Sequence, residues 1–390
     1  MTTFRIVLVS FLAAFIPVAV AQDTSVNYKE IAHKIVTVSA HVKPGEKVLI
    51  NGGQHMLPLM EALAMEIDNA GGDSLMIFNS DAVVHNYLAN IKDEYIRPSP
   101  WSTELFKVVD VSILLPQVQD LKAVSEGVSQ ERLNKFTAAG AALNKARNES
   151  KVRIISISVP GPHDAEYVQM EKSAYDKMQW DAINADYSQI VERGNQLKQL
   201  LSHAKSVKIT SPTGTSFTLS PGGRPVFVNA GIAQPTPGLI YGRRADLPGG
   251  LVAFAPIENS GNGKFVVPKD TCQPYEPLKG ATYEFSNGKL TSFKAEQNGK
   301  CFEDMRAAAI GTGGDMLANV IIGLNPALKV NEDTADYRDA NSAGMVSVGI
   351  GANEILGGAN RTTMGWSIPV TKATVEIDGK VVIKDGELTM

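Results

Sequence analysis

Arginine, carboxylate and serine side chains are what the C-terminal half of this 390-residue chain offers for chemistry, because no histidine follows His203. Arg243-Arg244 stand just before Leu247-Pro248-Gly249-Gly250, and their guanidinium groups could present donors to an anionic ligand, with Arg361 joining them. Asp246 and Glu258 flank the same block and could instead pair with these arginines, which is the plainer reading. A serine nucleophile at Ser260 or Ser367 would need an adjacent general base. Without histidine that base would have to be lysine or a carboxylate, and no G-x-S-x-G elbow is present, so serine catalysis is disfavoured. Gly311-Thr312-Gly313-Gly314-Asp315 could cradle a phosphate through backbone N–H groups. It lacks the Lys-Ser/Thr pair of a phosphate loop, so Asp315 reads better as a helix cap. Asn360-Arg361-Thr362 matches the glycosylation triplet. In the N-terminal half His55 follows a strand at the end where ligands bind, although a lone histidine at a helix start is more often structural.

The first residues read as a targeting segment. Arg5 gives a short positive region, Ile6 to Ile16 an apolar run, and Ala19-Val20-Ala21 a small-x-small cleavage site, so residues 1–21 are expected to be removed. The expected product is exported, either periplasmic or secreted; retention of the segment as an anchor is the alternative. No later segment approaches the ~20 apolar residues of a membrane span. A hydrophobic content of 44% with 20% charged residues is that of a globular protein. A net charge of −4 provides no basic patch for nucleic acid. Cys272 and Cys301 are expected to form a disulfide in an oxidising compartment.

Strands and helices alternate through the N-terminal half. Val42 to Glu46 is a turn and Lys47 to Asn51 a strand. Leu57 to Asn69 has helical apolar spacing and stops at Gly71-Gly72. Ser74–Phe78, Val109–Leu115 and Val152–Val159 are further short apolar runs, with an alanine-rich helix over Phe136–Asn148. Such alternation predicts a parallel sheet covered by helices. Asp176 to His203 reads as one long amphipathic helix linking the halves. From Val207 short strands and turns follow; Ser286-Asn287-Gly288 and Asp378-Gly379 are hairpin signals. Helices are predicted from about Phe302 to Ala308 and from about Gly314 to Val320.

Five segments in order carry a family resemblance. These are Val42-Lys43-Pro44-Gly45-Glu46-Lys47-Val48-Leu49, the stretch from Gly194 to Thr215, and Leu247-Pro248-Gly249-Gly250 with Ala255-Pro256-Ile257-Glu258. Ile322-Gly323-Leu324-Asn325-Pro326 and Leu356-Gly357-Gly358-Ala359-Asn360 complete the set. Together with Asp339-Ala340-Asn341 they resemble the aminopeptidase S and T family of metallopeptidases. The resemblance implies a two-metal hydrolytic site and a homodimer. It also implies, position by position, that the ligands are missing. Leu251 stands for a glutamate after Leu-Pro-Gly-Gly, and Asn319 for a glutamate before Gly323. Ala340 replaces the catalytic glutamate, Met345 a histidine, and Ala352 a tyrosine. Gly365-Trp366-Ser367 replaces a closing H-x-D, emptying both Gly365 and Ser367. Asp339 and Asn341 are retained.

The expected architecture is therefore α/β: an N-terminal parallel-sheet domain over 22–205 and a β-rich α+β domain over 206–390, thermophilic-aminopeptidase-like. The expected function is that of a binding or interaction protein using the interdomain cleft, without metal or cofactor, for a small-molecule or peptide ligand. The candidate ligand-cleft residues are Arg243, Arg244, Glu258, Asn341, Asn360 and Arg361. An enzyme of altered chemistry is the alternative, since a ring-cleaving dioxygenase with a single iron uses the same fold. An active leucyl-type aminopeptidase is a third possibility.

Overall fold

The computed structural model describes residues 26–233, 243–272, 276–333 and 335–390. The expected targeting segment lies outside the described residues. Among them, no helix is long and apolar enough to cross a membrane.

Four strands of the N-terminal half, β1 (Lys47–Gly53), β2 (Asp73–Asn79), β3 (Val111–Leu114) and β4 (Arg153–Ile157), pair in parallel in the order β2-β1-β3-β4. Val48, Leu49 and Ile50 are buried in succession, as a central strand covered on both faces requires. The helix Leu57–Asn69 carries Pro58 in its first turn and buries Leu59, Met60, Leu63 and Ile67. Gly71 then adopts a positive φ of 79°, a helix exit that costs other residues a steric clash. The expected helix over 176–203 is two helices, Lys172–Ile183 and Tyr187–His203. The Asp186 side chain accepts from Ser188 N–H and starts a new helix where an unbroken one was expected.

The later strands are β5 (Val207–Thr210), β6 (Ser216–Leu219), β7 (Val226–Asn229), β8 (Arg244–Leu247), β9 (Leu251–Phe254), β10 (Asn262–Cys272), β11 (Glu276–Ser286) and β12 (Lys289–Lys294). They continue as β13 (Gly311–Thr312), β14 (Leu317–Gly323), β15 (Val346–Gly351), β16 (Arg361–Thr362), β17 (Gly365–Val370), β18 (Thr374–Ile377), β19 (Lys380–Lys384) and β20 (Glu387–Leu388). β8 returns to the N-terminal sheet and pairs in parallel with β4 as its fifth strand. An eight-stranded sheet runs β12-β11-β10-β6-β5-β18-β19-β20, and a five-stranded antiparallel sheet runs β17-β15-β14-β9-β7. The predicted parallel-sheet part and β-rich part are both present.

The hairpin signals act as expected. Asn287 and Gly288 both take positive φ between β11 and β12, and Asp378 and Gly379 do so between β18 and β19. The predicted helix from Gly314 to Val320 is instead strand β14. Val320, Ile321 and Ile322 are β-branched and sit in a central strand flanked by β9 and β15. Asp315 consequently caps no helix; its carboxylate accepts from Arg306 Nε at 2.5 Å. The Lys300–Ala307 helix forms close to where it was expected.

One face of the five-stranded sheet packs into the main core. Val320, Val348, Trp366 and Ile368 point there, toward a group of rings that includes Tyr283, Phe293 and Phe302. Trp366 Nε1 donates to the Tyr283 hydroxyl at 3.0 Å, so the polar ends of both buried rings are satisfied. Cys272 and Cys301 form a disulfide with Cα atoms 6.1 Å apart, joining the end of β10 to the Lys300–Ala307 helix. The bridge closes a sequence separation of 29 residues. Its removal by Cys272→Ser with Cys301→Ser is expected to lower stability by ~3–4 kcal/mol in the loop-entropy model. Urea unfolding of the wild type and the double variant measures this difference.

Candidate functional site

The outer face of the five-stranded sheet gathers most of the positions singled out in the sequence. Strand alternation puts Leu251, Asn319, Ser347, Gly349 and Ser367 on this face, opposite the core. Leu251 pairs with Gly323 across β9 and β14, and Gly349 pairs with Ser367 across β15 and β17. Met345 is 4% exposed immediately before β15, and its carbonyl accepts from Gly323 N–H at 2.8 Å. Two glycines keep this face close-fitting. A Cβ on Gly349 would lie 2.7 Å from the Asn319 side chain, and one on Gly323 would lie 2.0 Å from Ser342 O. The absent side chain at Gly323 lets the backbone of Ala340 to Ser342 rest directly on the sheet.

Asn319, Ala352, Gly365 and Ser367 line one cavity of about 210 Å³, closed by Ile321, Ile350, Trp366 and Met305. Leu251 packs beside this cavity against Ala253, Ala255 and Leu356. Two further lining residues come from the end of β10 and were not singled out in the sequence. Asp270 is 4% exposed, and one of its oxygens accepts from Thr271 N–H at 2.8 Å. Its other oxygen, Oδ2, and Thr271 Oγ1 have no partner within the protein. Burial pushes the Asp270 carboxyl well above its usual range, and the nearby Asp336 charge adds to the effect.

A second cavity of about 310 Å³ lies between the two halves, beyond the ends of β4 and β8. Ser158 and Pro248 line one side; Asp339, Asn341 and Arg338 line the other. This is the carboxyl end of the parallel sheet, the usual location of ligand crevices in such folds. The short 3-10 helix Tyr337–Asn341 carries the acidic side of it, capped by Asp336 through a reciprocal capping box with Asp339. Asp336 is 1% exposed and is paired with Arg338, whose guanidinium stacks 3.8 Å above the Tyr167 ring centre. Burial raises the Asp339 carboxyl to about 7, with the charge of Asp336 contributing and Arg338 opposing. Asn341 Nδ2 donates to Pro248 O at 2.8 Å.

The six residues proposed for one ligand cleft are not brought together. Arg243 donates to Val152 O at 3.1 Å beside the parallel sheet. Arg244 pairs with Asp246 at 2.7 Å, as the plainer reading had it. Glu258 does not join them; it is held by Arg224, a residue without a distinguishing local pattern. The Arg224 guanidinium donates two bonds of 2.7 and 2.6 Å to the Glu258 oxygens, and Ala359 N–H and Asn353 Nδ2 add two more. Burial opposes this charge, but these donors outweigh it and hold Glu258 down to about 2. Asn360 is buried and donates to Leu317 O and Gly351 O, which removes it from a glycosylation surface and from a ligand cleft. Arg361 is exposed, donates to Gly358 O and approaches Glu354 at 3.9 Å. His55 lies in a short 3-10 turn after β1, where burial lowers its pKa.

Residues 184–390, more than half of the chain, match the family model described as NicX: 2,5-dihydroxypyridine 5,6-dioxygenase, and the chain belongs to that family. Among solved structures it is similar to wild-type AmpT from Thermus thermophilus, with a TM-score of 0.71 and 15% identity over 93% of this chain and 99% of that one. It is also similar to 2,5-dihydroxypyridine dioxygenase from Pseudomonas putida KT2440, with a TM-score of 0.60 and 16% identity over 93% and 96% of the two chains. These likenesses establish the aminopeptidase-like two-part fold. No curated protein matches.

Among the described residues no three histidine, cysteine, aspartate or glutamate side chains are grouped to hold an ion. Leucine, asparagine, methionine, alanine, glycine and serine occupy the positions at which the sequence resemblance implied ligands or a catalytic group.

Two outcomes follow from these electrostatics. Arg224→Ala leaves Glu258 charged and largely buried, and is expected to cost about 3 kcal/mol in denaturant unfolding. Asp339 behaves oppositely to a stabilising carboxylate. Its folded value lies above the ordinary 3.8, so between roughly pH 4 and 7 the folded chain holds a proton that the unfolded chain has released. Stability from this group is therefore lost as pH rises through that window. Relative to Asp339→Asn, the wild type should lose on the order of 2 kcal/mol from pH 4 to pH 8, allowing for the group's partial exposure. Urea unfolding across pH measures the divergence.

Proposed function

We propose that this chain is an exported binding member of its family, which takes a small ligand on the outer face of the five-stranded sheet. It carries out neither metal-dependent peptide hydrolysis nor ring cleavage. The observation that carries the reading is the shared cavity of Asn319, Ala352, Gly365 and Ser367. Four of the positions implied by resemblance meet there as neutral or absent side chains around an open space, while Leu251, Ala340 and Met345 lie outside its lining. An apolar-walled cavity with a few convergent polar groups is the form that small-molecule sites take. The interdomain cleft favoured from the sequence corresponds to the second cavity, and the reading shifts from there to the sheet face.

Export is supported by the apolar segment at residues 6–16 and by the Cys272–Cys301 disulfide, which an oxidising compartment preserves.

A second reading, an enzyme of altered chemistry, has one specific observation in its favour. Asp339, raised to about 7, lines the interdomain cavity with Asn341 and Arg338. A carboxyl titrating near neutrality is suited to general acid–base work. This reading would place the chemistry away from the sheet-face cavity.

Metal analysis of the purified protein, with assays of leucine p-nitroanilide hydrolysis and of oxygen uptake with 2,5-dihydroxypyridine and ferrous ion, tests the proposal. The expected outcome is substoichiometric zinc, cobalt and iron and no turnover in either assay. Stoichiometric metal in the cavity, or turnover abolished by a chelator, rejects it.

A further inference from the structure

The cavity between the two halves is lined by more carboxylates than the sheet-face cavity, yet its charges are matched. Asp336 is bound by Arg338 through Nε and Nη2, and Asp246 is bound by Arg244. Arg147 feels both charges of the second pair, which oppose one another. Asp339 keeps its proton up to about pH 7, because burial disfavours its charged form. There remain Asp164, which accepts from Gly161 N–H at 2.8 Å, and Lys329, which is exposed. These two are of opposite sign, so no net charge is left at this wall to select an ion.

What the cavity leaves open is neutral hydrogen-bonding capacity. Tyr175, Met178 and Gln179 recur at i, i+3 and i+4 on the helix Lys172–Ile183, so one helix face lines the space. The Tyr175 hydroxyl and the Gln179 amide engage no partner among the described residues, nor does the hydroxyl of Ser342, a residue only 2% exposed. Burial, with the charges of Asp164 and Asp339, raises the Tyr175 hydroxyl above its ordinary range, so it stays protonated. Each of these groups, like the protonated Asp339 carboxyl, can both donate and accept. Polar groups this enclosed are nearly always bonded, which marks them as places for atoms from outside the chain. Met170, Met178 and Leu328 add apolar surface between them. At about 310 Å³ the space is about twice the ~150 Å³ that holds one six-membered ring, which leaves room for substituents.

We propose that the interdomain cavity binds a neutral polyhydroxylated ring of monosaccharide size, whose hydroxyls exchange hydrogen bonds with Tyr175, Gln179, Asp339 and Ser342 while its C–H faces lie against Met170, Met178 and Leu328. A hydroxyl donates and accepts at once, which suits a wall whose open groups all do the same. Such a ring also alternates O–H with C–H, as the lining alternates polar with apolar side chains. An ammonium or carboxylate ligand would leave water for a wall with no free counter-charge, at a desolvation cost that nothing there offsets. A ring without hydroxyls would cover the open groups and leave them unbonded. The site is separate from the sheet-face cavity, and its occupancy does not depend on what that cavity holds.

Isothermal titration of the purified protein with D-glucose, D-galactose, D-ribose and myo-inositol, beside cyclohexanol, glucosamine and gluconate, tests this assignment. The expected result is saturable one-to-one binding of at least one of the four neutral polyols, roughly tenfold or more tighter than cyclohexanol and than both charged compounds. Tyr175→Phe and Gln179→Leu should each weaken that polyol roughly fivefold, the worth of one hydrogen bond. Their thermal midpoints should match the wild type, because neither group bonds the folded chain. Absence of saturable binding by all four polyols overturns the assignment and leaves the open groups to water. Equal affinity for cyclohexanol overturns it too, as does wild-type affinity in either variant. Preference for glucosamine or gluconate would reveal an unmatched charge and reject a neutral ligand. Binding lost in Asn319→Leu but kept in Tyr175→Phe and Gln179→Leu would seat the ring on the sheet face, which also rejects the interdomain site.

Discussion

The buried amide of Asn325 is the interaction on which the arrangement of the two halves turns. Fully inaccessible, it donates to Ala182 O in the helix Lys172–Ile183 and to Gly249 O in the Leu-Pro-Gly-Gly turn. Its own oxygen accepts from Ala327 N–H. One side chain thus satisfies backbone groups from the N-terminal half, the turn after β8 and the exit of β14. Gly250 permits the approach, because a Cβ there would fall 2.7 Å from Asn325 N. A hydrophobic residue at 325 would leave those two carbonyls without that donor, at a cost that desolvated backbone groups make substantial.

The same logic explains which family motifs are still legible. Asn325, Asn341, Asn360 and Asp339 each bond backbone atoms: Asn341 holds Pro248 O, Asn360 holds Leu317 O and Gly351 O, and Asp339 holds Asp336 N–H. They belong to the framework. Leu251, Met345 and Ala352 carry no hydrogen-bonding side-chain group, and Gly365 has no side chain, so none of these positions bonds the frame through a side chain.

Much of the N-terminal half was readable because its signals are local. The helix Leu57–Asn69 has a proline at its start, a single apolar stripe and glycines at its exit, and the Asn287-Gly288 and Asp378-Gly379 turns need the positive φ that those residues tolerate. Strand β14 reads as a helix in the sequence because a short apolar run in a central strand shows no period. The break at Asp186 was hidden because the apolar spacing continues through it. Asp270 was illegible for a different reason. Nothing in Val267-Pro268-Lys269-Asp270-Thr271 distinguishes it from a surface strand; its burial arises from β11 and from segments far away in sequence. The Arg224–Glu258 pair, 34 residues apart, was similarly invisible to local reading.

The Cys272–Cys301 bridge joins two walls of one chamber. Asp270 and Thr271 sit just before one cysteine, and Met305 sits one helical turn after the other. Polar and apolar sides of the space are thereby held at a fixed separation by a covalent tie rather than by packing alone. Reduction of the bridge would leave the spacing of those walls to packing alone, so the shape of the chamber depends on the redox state of its surroundings.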